Sequence, residues 1–313
     1  MAELELVEVA SGLRFPEGPV AMPDGSVIVV EMFGPRITRI QPDGSKATVA
    51  EIAGGPNGLA LGPDGALYLC NNGGSFTPLQ MGEWLLPGPF DPAGYIGGRI
   101  QRVDIDTGEV RDLYTECNGR PLRGPNDIVF DASGGMWISD YGIRDSEART
   151  SDLTSIYYAQ PDGSSIKEVI HPVEAPNGIG LSPDGTWLYW AETFNGRVMR
   201  RRIVAPGVVD AGAPLDPEGC LAGLPGLQLL DSLAVDGAGN VCVATLINGG
   251  ITIISPDGTS ISHLPTGDPM TTNICFGDPD GSGEYRTAFL TLSASGRLVR
   301  TRWPHRGLRL NHM

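Results

Sequence analysis

Six times along the chain a polar residue stands seven positions before the small loop residue that precedes a glycine. The pairs are Glu17 with Asp24-Gly25, Asn57 with Asp64-Gly65, Asn126 with Ser133-Gly134, Asn177 with Asp184-Gly185, Asp231 with Ala238-Gly239, and Asn273 with Asp280-Gly281. An apolar run fills each interval, and another follows most of the turns, at 27–30, 66–69, 136–139, 187–190 and 241–244. Asp-Gly and Gly-Gly supply the positive φ that tight hairpins need. Most units add a third strand-like run, such as 36–40, 98–103, 196–200 and 251–254. Several of these close on a further Pro-Asp-Gly turn.

The units begin 40, 69, 51, 54 and 42 residues apart. A unit of this length with about four short strands is the repeat of a β-propeller blade. Six such units use up the 313 residues. The sequence therefore predicts one all-β domain, 1–313, a six-bladed β-propeller with four-stranded blades around a central channel. A β-sandwich with coincidental turns is the competing reading, and six matches to one offset count against it.

The first strand of a propeller blade lines the channel, so the six aligned side chains would meet near one mouth. Glu, Asn, Asn, Asn, Asp and Asn are hard oxygen donors, suited to Ca²⁺ or Mg²⁺. No aligned position carries His or Cys, which weakens the case for zinc; Mg²⁺, Mn²⁺ and Zn²⁺ stand as alternatives to Ca²⁺. Asn or Asp at a strand start also often satisfies loop backbone and does nothing more. A Glu and an Asp together in one channel speak against that, because unpaired charge out of water is costly.

Two intervals are stretched. Residues 71–97 carry Phe76, Trp84, Phe90 and Tyr95, and residues 141–153 carry Arg144, Asp145, Glu147 and Arg149. Long loops in compact folds are commonly lids or binding loops. The first reads as an apolar lid that brings Trp84 to a substrate, with blade-to-blade packing as the alternative; Arg144 in the second is a candidate substrate contact.

The net charge of −15 argues against nucleic acid or an anionic membrane as partner, although much of it belongs to the Asp-Gly turns. A small molecule is the expected partner, and the oligomeric state is open. No run reaches the 18 apolar residues of a membrane span. The N-terminal residues 1–13 have neither the basic nor the apolar region of a secretory signal, so a cytoplasmic protein is expected. Five cysteines show no CxxC spacing, and Cys70, Cys242 and Cys275 sit in apolar runs as small hydrophobes would. The tail from 303 to 313 is expected to cover the last blade.

Phe15-Pro16-Glu17, Pro125-Asn126-Asp127, Pro176-Asn177-Gly178, Asp231 through Asp236 and Thr272-Asn273 resemble, in this order, the senescence-marker-protein/gluconolactonase/luciferin-regenerating-enzyme family. The resemblance covers nearly all of the chain. It implies a six-bladed propeller with a divalent cation, usually calcium, in its channel, and lactonase activity; some relatives hydrolyse organophosphate esters. It further implies Glu17, Asn177 and Asp231 as the metal's protein ligands, with Asn126 as a fourth that touches metal or substrate. Asn57 and Asn273 fall at positions that vary between members and would face substrate, and Asp127 would support its loop. Sugar-lactone members resemble one another in an Arg two residues before the inner Asn. Gly124 stands there in this chain, with Arg123 one step away. With the apolar insertion, this points to a lactone bulkier or less polar than an aldonolactone.

Other hydrolytic routes have little support. There is no G-x-S-x-G elbow, and His171, His263, His305 and His312 lie away from the aligned positions. Asp231 is left as base or nucleophile, beside a metal that would act as Lewis acid on the ester carbonyl. Whether it activates water or attacks directly stays open. The same site would also serve a phosphorus-ester hydrolase, a lyase or isomerase that stabilises an enolate, or a calcium-binding propeller without catalysis.

Overall fold

The computed structural model describes residues 5–212, 217–278 and 281–313. Asp280 of the sixth turn lies outside the described residues. Six antiparallel sheets follow one another around a ring, five of four strands and one of five. Blade one runs Pro16–Ala21, Val27–Glu31, Arg36–Ile40, Lys46–Glu51, and blade two Pro56–Leu61, Leu67–Asn71, Arg99–Val103, Val110–Tyr114. Blade three is Pro125–Phe130, Met136–Asp140, Thr154–Ala159, Ile166–Val173; blade four is Pro176–Leu181, Trp187–Glu192, Arg197–Ala205 with Val208–Val209 and Cys220–Gly223. Blade five is Leu229–Val235, Val241–Leu246, Gly250–Ile254, Ile261–Pro265. Blade six takes Thr271–Gly277, Thr287–Leu292 and Arg297–Arg302 from the end of the chain and its outer strand, Val7–Ala10, from the beginning. That last pairing locks the ring shut with backbone hydrogen bonds from both ends of the chain.

Each first strand packs on the first strands of the blades before and after it, and the sixth returns to the first. The apolar core is divided accordingly into six clusters, each shared by two neighbouring blades. Leu59, Leu67 and Leu69 of blade two meet Val20, Ile28 and Val30 of blade one, and Ile179, Leu188 and Trp190 of blade four meet Val129 and Trp137 of blade three. Second strands are buried on both faces, which explains their unbroken apolar runs: Cys242 and Ala244 face blade six while Val241 and Val243 face blade four. Cys70, Cys242 and Cys275 are core residues, and all five cysteines are free thiols.

Close approach of the first strands needs small residues. A Cβ on Gly58 would stand 2.4 Å from the Asn126 carbonyl oxygen, and one on Gly178 would stand 2.4 Å from the Leu233 amide nitrogen. Both glycines directly follow a ring residue, and both neighbours are backbone, which cannot rotate away. Gly178→Ala is therefore expected to lower stability by about 1–3 kcal/mol, read as an earlier midpoint in urea unfolding.

The turns behave as their sequences require. Asp24, Asp43, Asp162 and Asp184 each accept the amide two residues on, at 2.9–3.0 Å. Hydrogen bonds from Ser255 and Thr259 pull the exposed Asp257 carboxyl down to about 2. Much of the chain's negative charge is thus placed on the rim.

The C-terminal tail departs from expectation. Trp303 does pack on Phe276 of blade six, 5.6 Å between ring centroids. Beyond it the chain crosses the channel end remote from the ring residues. Leu310 and Met313 lie against Val20, Leu59 and Phe276, and Asn311 Nδ2 donates to the Phe130 carbonyl at 2.9 Å. Apolar side chains converge there from several blades, and the tail covers them better than it could cover one blade edge. Among the described residues no helix is long and apolar enough to cross a membrane.

Candidate metal and active site

All six first strands change register at or beside the aligned polar residue, between Glu17 and Val20, Pro56 and Leu59, Pro125 and Ile128, Pro176 and Ile179, Leu230 and Leu233, and Thr271 and Asn273. A bulge leaves one residue unpaired and re-aims its side chain. Here the same irregularity recurs around the ring, with Asn57, Asn126, Asn177 and Asp231 in the unpaired stretch and Glu17 and Asn273 at its edge. The loops that lead in are fixed by the ends of the second strands. Asp140 accepts the amides of Arg123, Gly124 and Gly142 at 2.7–3.0 Å, and Asn71 Oδ1 accepts those of Gly55 and Gly73.

Glu17, Asn57, Asn126, Asn177, Asp231 and Asn273 are all buried, from 2 % exposed for Glu17 to 8 % for Asp231. Burial raises the Glu17 carboxyl well above the usual range, and the charges of Asp231 and Asp127 add to the rise against hydrogen bonds from Thr272 and the Gly18 amide. Burial likewise takes Asp231 up to about 7, opposed by a hydrogen bond from Asn177 and helped by the charge of Asp127. Glu17 thus feels the charges of Asp231 and Asp127, and Asp231 that of Asp127. Asn177 and Asn126 add the complementary feature: both amide oxygens are buried without a hydrogen-bond partner. Buried amide oxygens left unpaired are costly, and beside two strained carboxylates they suit a hard cation. No three Asp, Glu, His or Cys groups among the described residues are gathered as a metal cluster; the donor set here mixes two acids with two amides.

The other expected residues are placed differently. Asn57 is buried, and its side chain makes no hydrogen bond among the described residues. Asn273 Oδ1 accepts the amide of Ile274 on its own strand at 2.8 Å, which uses one of its two acceptor positions. Asp127, expected to brace a loop, accepts the Ile128 amide at 2.9 Å and the Ile179 amide of blade four at 3.4 Å, and it is also a buried carboxylate that burial lifts to about 7. Trp84 sits half-buried on the insertion hairpin Pro78–Met81 and Trp84–Pro87. Leu85 of that hairpin donates to the Ala294 carbonyl of blade six at 2.9 Å, and Tyr95 Oη donates to the Arg123 carbonyl of blade three at 2.6 Å. Blades three and six are opposite in a ring of six, so the insertion reaches across the mouth. Arg144 is exposed, with its guanidinium 3.6 Å from the Phe194 ring centroid.

Two groups near this mouth escaped sequence reading. Tyr141 has its phenol pushed up by burial and by the charge of Asp231, which places it beside the ring. Phe194 follows blade four's second strand. Neither belongs to the aligned repeat, and only the folded arrangement of loops reveals them.

A serine, a histidine and an acid do meet, on the outer strands of blade three. Ser155 Oγ lies 2.7 Å from Glu168 Oε2 and 3.0 Å from His171 Nδ1, and that same Nδ1 stands 3.1 Å from the Thr154 carbonyl. Acid and imidazole grip one buried hydroxyl, so no relay runs from acid through imidazole to serine, as a triad requires.

Fold and site together define a class: a six-bladed propeller whose first strands gather oxygen donors at one channel mouth. Residues 15–293 match the SMP-30/gluconolactonase/LRE-like region, and the chain belongs to that family. A gluconolactonase of Zymomonas mobilis is 25 % identical over 331 aligned positions, which take in 94 % of this chain and 80 % of that protein. Lactonase drp35 of Staphylococcus aureus is 25 % identical over 247 positions, covering 77 % of this chain and 66 % of its own length. Among solved structures, the calcium-binding protein regucalcin of Agrobacterium tumefaciens has the same fold, with a TM-score of 0.71 over 99 % of this chain and 100 % of that one, at 17 % identity.

Proposed function

We propose that this protein is a hydrolase that opens the ring of a lactone at a divalent cation, Ca²⁺ before others, and that residues 1–313 act as one unit. The observation that carries the reading is the pair of unpartnered buried amide oxygens, on Asn126 and Asn177, in the same ring as the buried carboxyls of Glu17 and Asp231, both of which burial raises. These four residues would hold the cation, and their two negative charges balance it. Oxygen donors without His or Cys favour Ca²⁺ or Mg²⁺ over zinc. A cation there would polarise the lactone carbonyl and stabilise the negative charge that develops on its oxygen.

The residues supply the rest. Asp231 takes a proton from the attacking water, or attacks the carbonyl itself before water releases the acid. The ring C–O bond breaks, the departing oxygen gains a proton, and a hydroxy acid is formed. Asn57, with its amide unspent, meets the substrate's polar edge. The tail closes the far end of the channel, so substrate enters and product leaves by the mouth that the insertion spans. Names of gluconolactonase and lactonase relatives support the reaction class, and five free thiols fit a cytoplasmic setting.

The test is acid release from a panel of aldonolactones and of aryl and alkyl γ- and δ-lactones. EDTA-treated protein is compared with protein given Ca²⁺, Mg²⁺, Mn²⁺ or Zn²⁺. Cation-dependent acid release is the expected result. Silence across the panel, with Ca²⁺ still raising the melting temperature, would transfer the site to a lyase or a binding protein.

A further inference from the structure

Beside the ring lies a separate cavity of about 310 Å³ that the cation site does not use. Three blades build it. Phe76 and Phe90 come from the insertion of blade two, Tyr141 and Arg144 from the loop after blade three's second strand, and Phe194 from the equivalent loop of blade four. Tyr141 stands between two of the rings, its centroid 5.8 Å from that of Phe76 and 5.9 Å from that of Phe194. The second strands that lead to Tyr141 and Phe194 end opposite Pro125 and Pro176, the residues before Asn126 and Asn177, so the aromatic wall begins at the mouth where the proposed chemistry takes place. Walls of this kind bind flat apolar groups by stacking and by exclusion of water.

Two polar groups of the cavity are unspent. Ser75 is 4 % exposed and its hydroxyl has no hydrogen-bond partner. The Arg144 guanidinium carbon lies over Phe194, 3.6 Å from the ring centroid, and the side chain pairs with no carboxylate among the described residues. Its neighbour Asp145 is occupied with the amides of Glu147 and Ala148, at 3.0 and 2.8 Å. A stacked guanidinium keeps its edge free for a planar anion.

We propose that this cavity is a subsite for a flat aromatic arm of the lactone, with Arg144 reading an anionic group at the arm's outer end and Ser75 donating to an acceptor along it. The inference rests on the lactone-hydrolase reading and deepens it by naming the substrate class. An aldonolactone would leave the aromatic wall wet and the guanidinium unanswered.

The probes are γ-phenyl-γ-butyrolactone, its para-carboxyphenyl counterpart and δ-gluconolactone. The carboxyphenyl lactone is expected to have the highest kcat/KM of the three, about tenfold above the phenyl lactone, the scale of a hydrogen bond to a charged group. Arg144→Ala should collapse that ratio about tenfold, Arg144→Lys should restore part of it, and Phe194→Ala should lower both aryl lactones relative to gluconolactone. Preference for gluconolactone, or an Arg144→Ala loss equal on all three, would overturn the subsite. Calorimetry with 4-ethylbenzoate, which has the arm and no lactone, separates the two readings. Saturable binding that Arg144→Ala abolishes, with no lactone turned over, keeps the subsite and overturns the lactonase. Turnover without aryl preference, and no binding of 4-ethylbenzoate, does the reverse.

Discussion

Asp231→Asn is expected to cut kcat/KM for lactone opening by about 10³-fold, within the range that a positioned acid or base supplies, while the propeller stays folded. The substitution keeps the side chain's size and its place on the bulged strand, and removes only the charge and the basic oxygen. Glu17→Gln is the informative partner. Glu17 is the most buried of the ring residues, at 2 % exposed, and in the proposed arrangement it holds the cation without touching the proton. Its loss should therefore weaken cation activation and be largely recovered at high Ca²⁺, whereas no concentration of Ca²⁺ should rescue Asp231→Asn. Activity titrated against Ca²⁺ for both variants reads the difference. An Asp231→Asn protein that keeps more than about a tenth of wild-type turnover would remove Asp231 from the reaction.

The second large effect is on stability, and its sign changes with the cation. Burial raises Asp127 and Asp231 from an ordinary 3.8 to about 7. Between about pH 4 and pH 7 the metal-free folded protein therefore holds protons that the unfolded chain has released. Stability must fall as pH rises through that window, because the fold binds more protons than the unfolded state. Turn carboxylates held low, such as Asp257 at about 2, give the opposite slope, and only at lower pH. With EDTA the melting temperature is thus expected to decline from pH 4 to pH 7. Ca²⁺ at pH 7, at one hundred times its Kd, should restore about 2.7 kcal/mol, a shift of several degrees. Asp231→Asn carries its own control: without cation at pH 8 it should melt at or above the wild type, and a given Ca²⁺ concentration should raise it less than it raises the wild type. A melting curve flat in pH and indifferent to Ca²⁺ would falsify the cation site outright.

The repeat itself was legible because a propeller writes its architecture into local sequence. Each blade needs its own Asp-Gly or Gly-Gly turn, its own doubly buried second strand and its own polar residue at the channel, so the pattern recurs whatever the neighbours do. All six ring residues could be named from that offset, while the choice of Glu17, Asn126, Asn177 and Asp231 among them came from the family resemblance. What each does with its oxygen could not be read there. Asn273 Oδ1 accepts the Ile274 amide while Asn126 and Asn177 leave theirs unpaired, although all three hold equivalent places in the repeat. Asp127 is similar: one residue past the ring, its carboxyl is buried, which takes it to about 7.

The insertions mark the other limit. Aromatic content in 71–97 suggested a lid, yet Trp84, the largest side chain there, is absent from the walls of the cavity that Phe76 and Phe90 build with Tyr141 and Phe194. Those rings are up to 118 positions apart in the chain. Nothing in local periodicity couples them, and the tail's passage over the far channel mouth is of the same kind. The sequence by itself determined the blades, the ring and its oxygen chemistry, because each is set by contacts repeated within a few dozen residues. Only the tertiary structure decided which oxygens stay free, which carboxylates are buried and which loops meet over the mouth, because desolvation and long-range contact exist only once the ring has closed.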